Sequence, residues 1–248
     1  MVGHRPTVRF MTQTAVTTVV GQKDAVLFDL FHTLTALEST WGDSRVFTHQ
    51  MLGVSREAWN EQLLERSRDR LTGVIDDPHA IVRKLAHAID PTIHEDAIEA
   101  AVANRIERFA HALVNVPQEN VRILCRLKAL GKSIGLISNA DASEVAAWDR
   151  SPIARWFDSV VFSCRVGCVK PESQIYRVCM QELDVTPDRC VFVGDGGSGE
   201  LEGARRLGIT TVMVTGVTRE IWPDKIEKHR AHADYVIEHL RELVQEEI

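Results

Sequence analysis

The sequence predicts an α/β fold, a doubly wound parallel sheet accompanied by a second, smaller helical domain. Short apolar runs, each followed by polar residues, recur along the chain, which is typical of buried parallel strands. From residue 117 onward these runs alternate with helix-spaced segments, and such alternation implies a parallel sheet with right-handed crossovers. Residues 36–116 carry helical spacing only, so they form the helical part.

Size and composition favour an enzyme. The chain has 248 residues, of which 44% are hydrophobic and 26% charged, enough for one large domain with an insertion. A net charge of -6 argues against a nucleic-acid surface, and no apolar run is long enough to span a membrane. Residues 1–23 are expected to be an N-terminal extension of a cytoplasmic protein, because threonines interrupt their apolar part.

The cysteines and histidines indicate no metal or redox centre. Five cysteines contain no Cys-x-x-Cys pair and are expected to be reduced packing thiols. Ten histidines lack zinc-ligand spacing, which excludes the common zinc enzymes.

The first strand is predicted over residues 25–28, and it ends at Asp29. Open α/β sheets place their chemistry at the carboxyl ends of strands, so Asp29 is a candidate nucleophile. An isolated aspartate after a strand is more often a helix cap. The interpretation of Asp29 therefore depends on what stands at the other strand ends.

Residues 36–116 show two helical stripes that predict a helical core rather than a cofactor site. The first stripe contains Ile81, Leu85 and Ile89. The second contains Ile98, Val102, Ile106, Phe109 and Leu113. Pro78, Pro91 and Pro117 are expected near helix starts or connections.

The alternation after residue 117 gives the rest of the core. A helix is predicted to end near Gly131, which suits a left-handed cap. Strands follow at residues 134–137, 160–162, 190–193 and 211–214, with helices near 143–148, from Pro171, and over 201–207. An acidic helix is expected to close the chain at Ile248.

Polar residues follow three of these strands in turn. Ser138 and Asn139 follow the second, Lys170 comes after the third, and Asp195 follows the fourth. The segment from Gly194 to Gly199 formally contains Gly-x-Gly-x-x-Gly, yet it follows the fourth strand rather than the first, which disfavours a dinucleotide site. The competing interpretation makes Asp195 a metal ligand, with Glu200 five residues later as a second carboxylate.

This ordered set of Asp29, Ser138, Lys170 and the Asp195–Glu200 pair resembles the haloacid dehalogenase superfamily over residues 25–214. The resemblance implies a core domain of residues 24–35 and 117–248, and a mobile cap of residues 36–116 that selects the substrate. Candidates for that selection are Trp41, Arg45 and Trp59.

The resemblance also implies a Mg²⁺ ion held by Asp29, the main-chain carbonyl of Phe31, and Asp195, with Glu200 acting directly or through water. Asp29 would attack a small phosphorylated metabolite and form an aspartyl-phosphate that water hydrolyses. Ser138 would hydrogen-bond the transferring oxygens, and Lys170 would steady their charge. The catalytic set is completed by Thr33, which orders the nucleophile loop.

Phe31 departs from this pattern, because the phosphatases of the family carry a general acid and base there. Such a group typically contributes roughly 10² to 10⁴ in rate. Three explanations remain: substrates with good leaving groups, recruitment of another group such as His32, or a reaction other than phosphate ester hydrolysis. His32 stands where the family usually has glycine, and it is expected more often to face the cap or solvent.

Phe31 also resembles the 2-haloacid dehalogenases of the family, which have an aromatic residue there and need no metal. Asn139 and Tyr176 match that branch, and with Phe31 and His32 they are predicted to contact substrate. Asp195 departs from it. Mg²⁺-dependent phosphatase is the favoured function. The alternatives are a metal-free dehalogenase and a weakly active metabolite-binding protein, each taking a small molecule as a monomer or homodimer.

Overall fold

A computed structural model of the protein describes residues 13–37 and 46–245. Its centre is a sheet of six parallel strands in the order β3-β2-β1-β4-β5-β6. The strands are β1 (Ala25–Phe28), β2 (Ser133–Ser138), β3 (Ser159–Phe162), β4 (Cys190–Gly194), β5 (Thr210–Val214) and β6 (Tyr235–Ile237). The predicted α/β class with a parallel sheet is confirmed.

The strand order places the site. From β1 the chain moves outward to β2 and β3, and then returns to β4 on the other side of β1. Phe28 at the end of β1 therefore lies opposite Leu136 on one side and Val193 on the other. Ligands of open α/β sheets bind where the strand order reverses in this way. Asp29 and Asp195, which follow β1 and β4, meet at that point.

Helices cover both faces of the sheet. The helices of the core are α1 (Gln13–Gln22), α7 (Gln118–Ala129), α8 (Ala142–Val145), α9 (Ser163–Val166), α10 (Ser173–Glu182), α11 (Glu200–Arg206), α12 (Gly216–Ile221) and α13 (Ile226–Arg230). Side chains of β1 alternate between the two faces: Val26 and Phe28 join one apolar cluster, and Ala25 and Leu27 join the other. This alternation follows from the two-residue period of a strand.

Both ends of the chain differ from expectation. Part of the expected extension, residues 13–22, is helix α1, whose Val16 and Val20 are buried in the core cluster. The prediction of a long C-terminal helix is wrong, since β6 and a 3₁₀ turn over Leu240–Leu243 stand there instead, and residues 246–248 lie outside the described part. A strand as short as β6 shows too little alternation to be recognised among charged neighbours.

Between β1 and α7 the chain forms helices α2 (Thr48–Met51), α3 (Arg56–Glu65), α4 (Ser67–Leu71), α5 (Pro78–Ile89) and α6 (Glu95–Val114). Ile81, Leu85 and Ile98 belong to an apolar cluster formed by this insertion alone. Trp59, one of the candidates for substrate selection, is 4% exposed in the same cluster and does not line the active-site cavity. Trp41 and Arg45 lie outside the described residues.

A buried ion cluster joins the insertion to the core. Arg105 on α6 donates to Ser143 Oγ at 2.9 Å and to Asp141 Oδ2 at 3.0 Å, and it also donates to Glu144. Arg70 on α4 donates to the same Asp141 oxygen at 2.9 Å. Asp141 caps α8 and lies shortly after β2, so the cluster fixes the insertion beside the strand end that carries Ser138.

All five cysteines are free, as expected for reduced thiols. Burial raises the pKa of Cys179 and of Cys190 to about 12, so both are protonated packing groups at neutral pH. Across the described ranges, no helix combines the length and the apolar character needed to cross a bilayer.

Candidate active site

Asp29 begins a tight loop at the end of β1. Its backbone N–H donates to Val193 O at 2.9 Å, which ties the loop to β4. The Thr33 hydroxyl donates to Asp29 Oδ2 at 3.0 Å and orients the carboxylate. His32 has a φ of 65°, a left-handed backbone conformation that residues other than glycine rarely adopt. The loop therefore places strain next to the candidate nucleophile.

Lys170 lies between two carboxylates. Its ammonium donates to Asp29 Oδ1 and, at 2.5 Å, to Glu200 Oε2. The Asn139 amide holds the Lys170 main chain from both directions, because Oδ1 accepts from the Lys170 N–H at 2.8 Å and Nδ2 donates to its carbonyl at 3.0 Å. The residue predicted to contact substrate, Asn139, thus also positions the lysine.

The glycine-rich segment makes room for Glu200. A Cβ on Gly194 would lie 2.1 Å from Glu200 Oε1, and the Gly196 N–H donates to that oxygen at 3.0 Å. Asp195 Oδ1 accepts from the Gly197 N–H at 2.9 Å. Gly194 and Gly196 therefore serve Glu200, which accounts for the first two glycines of the Gly-x-Gly-x-x-Gly spacing without a dinucleotide.

Three carboxylates meet around one lysine. Oxygens of Asp29, Asp195 and Glu200 all lie within 4.8 Å of one another. Burial, opposed by Lys170 but reinforced by Asp195, raises the pKa of Asp29. Burial and the nearby Asp29 carboxylate raise the pKa of Glu200 well above its usual range. Burial disfavours the Lys170 ammonium, yet the two carboxylates outweigh that effect and raise the pKa of Lys170.

This donor set fits a hard divalent cation. Three carboxylates beside one ammonium leave two excess negative charges, which one divalent cation would balance. Mg²⁺ prefers carboxylate oxygens as ligands. Both oxygens of Glu200 already accept hydrogen bonds, from Lys170 and from Gly196. Both oxygens of Asp29 accept hydrogen bonds as well, from Lys170 and from Thr33, so hydrogen bonding does not separate Asp29 from Glu200 as a ligand.

Phe31 contacts the insertion. Its ring meets that of Phe109 on α6 edge to face, with centroids 5.2 Å apart. The next residue, His32, makes an edge contact at 4.8 Å with Trp222, from the connection between β5 and β6. Where the family's phosphatases carry a carboxylate, this chain has an aromatic contact between the nucleophile loop and α6.

These side chains line a cavity of about 380 Å³. Its predicted members are the residues Asp29, Phe31, His32, Ser138, Asn139, Lys170, Asp195 and Glu200. It also contains residues that the sequence did not indicate: Leu64, Gly197, Ser198, Trp222, Lys225 and His229. No spacing in the sequence signals Trp222, Lys225 and His229. They lie before β6, a strand that the sequence did not predict.

The position of Tyr176 differs from the prediction. Its side chain is fully buried, and its hydroxyl donates to Glu200 O at 2.8 Å. The prediction that it contacts substrate is wrong, since it lies behind the acidic pair and supports the start of α11. Thr33 is likewise outside the cavity lining and acts on Asp29 by its hydrogen bond.

Comparison with known proteins agrees with this arrangement. The family described as haloacid dehalogenase-like hydrolase matches residues 23–208. Glyceraldehyde 3-phosphate phosphatase of Methanothermobacter thermautotrophicus is 25% identical over 211 residues, which cover 83% of this chain and 91% of that protein. Bifunctional epoxide hydrolase 2 of Rattus norvegicus is 30% identical over 115 residues, which cover 44% of this chain and 21% of that protein.

The chain therefore spans about a fifth of the rat relative. Among solved structures, the L-2-haloacid dehalogenase from Xanthobacter autotrophicus with chloropropionic acid covalently bound superposes with a TM-score of 0.59. The two share 18% identity, and the match covers 89% of this chain and 96% of the dehalogenase, which shows a common fold. With a family match over most of its length, a six-stranded parallel sheet and the strand-end acidic cluster, the chain belongs to the haloacid dehalogenase-like hydrolases.

Proposed function

We propose that the protein is a Mg²⁺-dependent phosphatase that acts on a small phosphorylated metabolite through an aspartyl-phosphate at Asp29. The observation that carries the proposal is the buried excess of carboxylates around Lys170. A metal-free reaction on an anionic substrate would face this excess negative charge unscreened. Relatives named as phosphatases support the same reaction class.

In the proposed site, Asp29, Asp195 and the Phe31 carbonyl would hold the ion, with Glu200 as a further carboxylate beside it. When bound, Mg²⁺ supplies neutralisation of charge between the anionic substrate and the anionic nucleophile. Glu200 and Asn139 keep Lys170 in place, so its ammonium faces the transferring group. Ser138, buried at the end of β2, donates a hydrogen bond to a phosphoryl oxygen.

Asp29 attacks phosphorus with one carboxylate oxygen, and the bond from phosphorus to the leaving oxygen breaks. Phe31 has no proton to give, so the leaving oxygen takes its proton from water or departs as a stable anion. Water then attacks phosphorus of the aspartyl-phosphate, which frees inorganic phosphate and restores Asp29. The insertion of helices α2–α6 is proposed to act as the cap, because Leu64 and Phe109 bring it to the cavity and the nucleophile loop.

The test is phosphate release from a panel of phosphorylated sugars and acids, with MgCl₂ or with EDTA. We expect release with Mg²⁺, loss with EDTA, and loss in Asp29→Asn. Asp149→Asn is the matched control, because Asp149 is exposed and away from the cavity.

The second candidate is dehalogenation, which Phe31 favours, since an aromatic residue stands there in the dehalogenase branch. The same samples are therefore assayed for halide release from 2-haloacids. Halide release that persists in EDTA, without phosphate release from any ester, would overturn the phosphatase proposal. Silence in both assays with retained metabolite binding would favour a binding protein.

A further inference from the structure

One wall of the cavity comes from the connection between β5 and β6. Trp222, Lys225 and His229 line the cavity from this side, around a 3₁₀ turn over Pro223–Lys225 and helix α13. From the described part of the insertion, residues 46–116, Leu64 alone lines the cavity, and it is 77% exposed. Among the described residues, the polar side chains opposite the nucleophile loop therefore belong to the core rather than to the insertion.

Two contacts hold this wall in place. The Trp222 ring lies edge to face against His32, with centroids 4.8 Å apart. The His229 ring packs on Gly196, where a Cβ would lie 2.5 Å from the His229 Cβ. His229 Nδ1 lies 3.3 Å from Asp195 O, and because a carbonyl oxygen only accepts, Nδ1 carries the hydrogen. The connection is thus docked on both loops that carry the acidic cluster.

Two lysines line the cavity, and they make different contacts. Lys170 is buried, and its ammonium is shared between Asp29 and Glu200, so its charge serves the reacting end of the cavity. Lys225 is exposed, and its ammonium lies 4.1 Å from the centre of the Trp222 ring. Within residues 13–37 and 46–245 Lys225 has no carboxylate at ion-pair distance.

The positive charge of Lys225 affects which substrates the cavity can bind. The carboxylates Asp29, Asp195 and Glu200 repel any anionic group beyond the reacting phosphate. The Trp222 ring limits where the Lys225 ammonium can lie, since cations are attracted to the face of an indole ring. Lys225 therefore offers a positive charge on the cavity wall that the β5–β6 connection forms.

We propose that Trp222 and Lys225 form a subsite for a second anionic group on the substrate, a carboxylate or a second phosphate. The inference rests on the proposed phosphatase function, because it concerns the part of the substrate that is not transferred. It assigns substrate selection to the β5–β6 connection of the core, in addition to the insertion.

The test compares aryl phosphates that share the reacting group. Phenyl phosphate has no second charge, 3- and 4-carboxyphenyl phosphate add a carboxylate at two positions, and 1,4-phenylene bisphosphate adds a phosphate. Each is assayed for kcat and KM with Mg²⁺ on the full chain. Lys225→Met removes the charge at similar length, and Lys225→Glu reverses it. Lys228→Met is the control, since Lys228 is exposed on α13 but does not line the cavity.

We expect the wild type to favour at least one substrate with a second anion over phenyl phosphate by about tenfold in kcat/KM, chiefly through KM. Lys225→Met should abolish that preference, measured as the ratio of kcat/KM for each charged ester to kcat/KM for phenyl phosphate, and Lys225→Glu should invert it. The stronger of the carboxylate and bisphosphate arms identifies the second anion. Lys228→Met should behave as wild type.

Two outcomes would overturn the inference, and they are distinguishable. If the wild type hydrolyses phenyl phosphate but Lys225→Met keeps the same ratio between substrates, the subsite is wrong and the phosphatase proposal stands. If the wild type hydrolyses neither these esters nor the phosphorylated sugars and acids, the phosphatase proposal falls, and the inference falls with it. Circular dichroism of each variant confirms that the fold is retained.

Discussion

Glu200 holds Lys170 at the centre of the site: Glu200 Oε2 accepts from the Lys170 ammonium at 2.5 Å, and its other oxygen accepts from the Gly196 N–H. Both residues are buried. Glu200 therefore connects the lysine to the loop that carries Asp195. The acidic pair after β4 supports the lysine as well as the proposed cation site.

Replacing Glu200 with Gln should lower activity without removing the nucleophile. The glutamine amide has one acceptor oxygen, so it can serve Lys170 or the Gly196 N–H but not both. We expect kcat to fall about 10- to 100-fold, as is typical for residues that orient the groups of a metal site. Glu202→Gln is the control, because Glu202 pairs with Arg206 at the surface and should keep full activity. Unchanged kcat in Glu200→Gln would contradict the assigned role.

The raised pKa of Glu200 predicts how stability depends on pH. The folded state favours the protonated acid, so the free energy of unfolding is highest below the ordinary pKa of 4.5 and falls as pH rises toward the folded value. Each unit of pH costs at most about 1.4 kcal/mol for one group. The raised pKa of Lys170 adds no slope over this range, because the ammonium is charged in both states.

We therefore expect stability in EDTA to fall as pH rises above the ordinary pKa of 4.5, and Mg²⁺ to reduce that fall by balancing the carboxylates. Urea unfolding at several pH values, with EDTA or Mg²⁺, measures both effects. Glu200→Gln removes one titrating group and should flatten the profile in EDTA. A profile in EDTA that is already flat for the wild type would contradict the electrostatic account.

With Phe31 in place of a general acid, kcat/KM is expected to depend steeply on the pKa of the leaving group. Without a general acid at this position, esters of weakly acidic alcohols should react far more slowly than esters of acidic phenols. The slope of log kcat/KM against leaving-group pKa measures this. Phe31→Asp should flatten the slope and raise the rate for poor leaving groups by up to roughly 10² to 10⁴.

Phe31→Leu is the matched control, because it loses the ring contact with Phe109 and supplies no proton. It should keep the steep slope. A shallow slope in the wild type would mean that another group, such as His32, already donates the proton.

The ion cluster between the insertion and the core predicts a large stability effect. Arg105→Met leaves Asp141 and Glu144 buried with Arg70 as their remaining partner, and breaking a buried pair typically costs about 3 to 5 kcal/mol. Arg83→Ala removes an exposed pair with Glu95 and should cost about 1 kcal/mol or less. Urea unfolding of both variants checks the difference. Similar losses would show that burial of Arg105 adds nothing.

Prediction from sequence succeeded where a residue follows a strand directly. Asp29 and Asp195 come immediately after β1 and β4. Because parallel strands end at one edge of the sheet, the two apolar runs predict that these carboxylates lie near each other. It failed at Tyr176, whose position in a helix pattern does not show whether its ring faces the cavity or the core.

The α/β class, the parallel sheet and the approach of Asp29 to Asp195 could be predicted from the sequence, because apolar runs that alternate with helices place the strand ends at one edge of a sheet. Three contacts became visible in the fold alone: Phe31 meets Phe109, Arg105 pairs with Asp141, and Lys225 lines the cavity. The physical reason is that each of these contacts joins segments far apart in the chain. Packing brings such segments together, and no local pattern of residues records it.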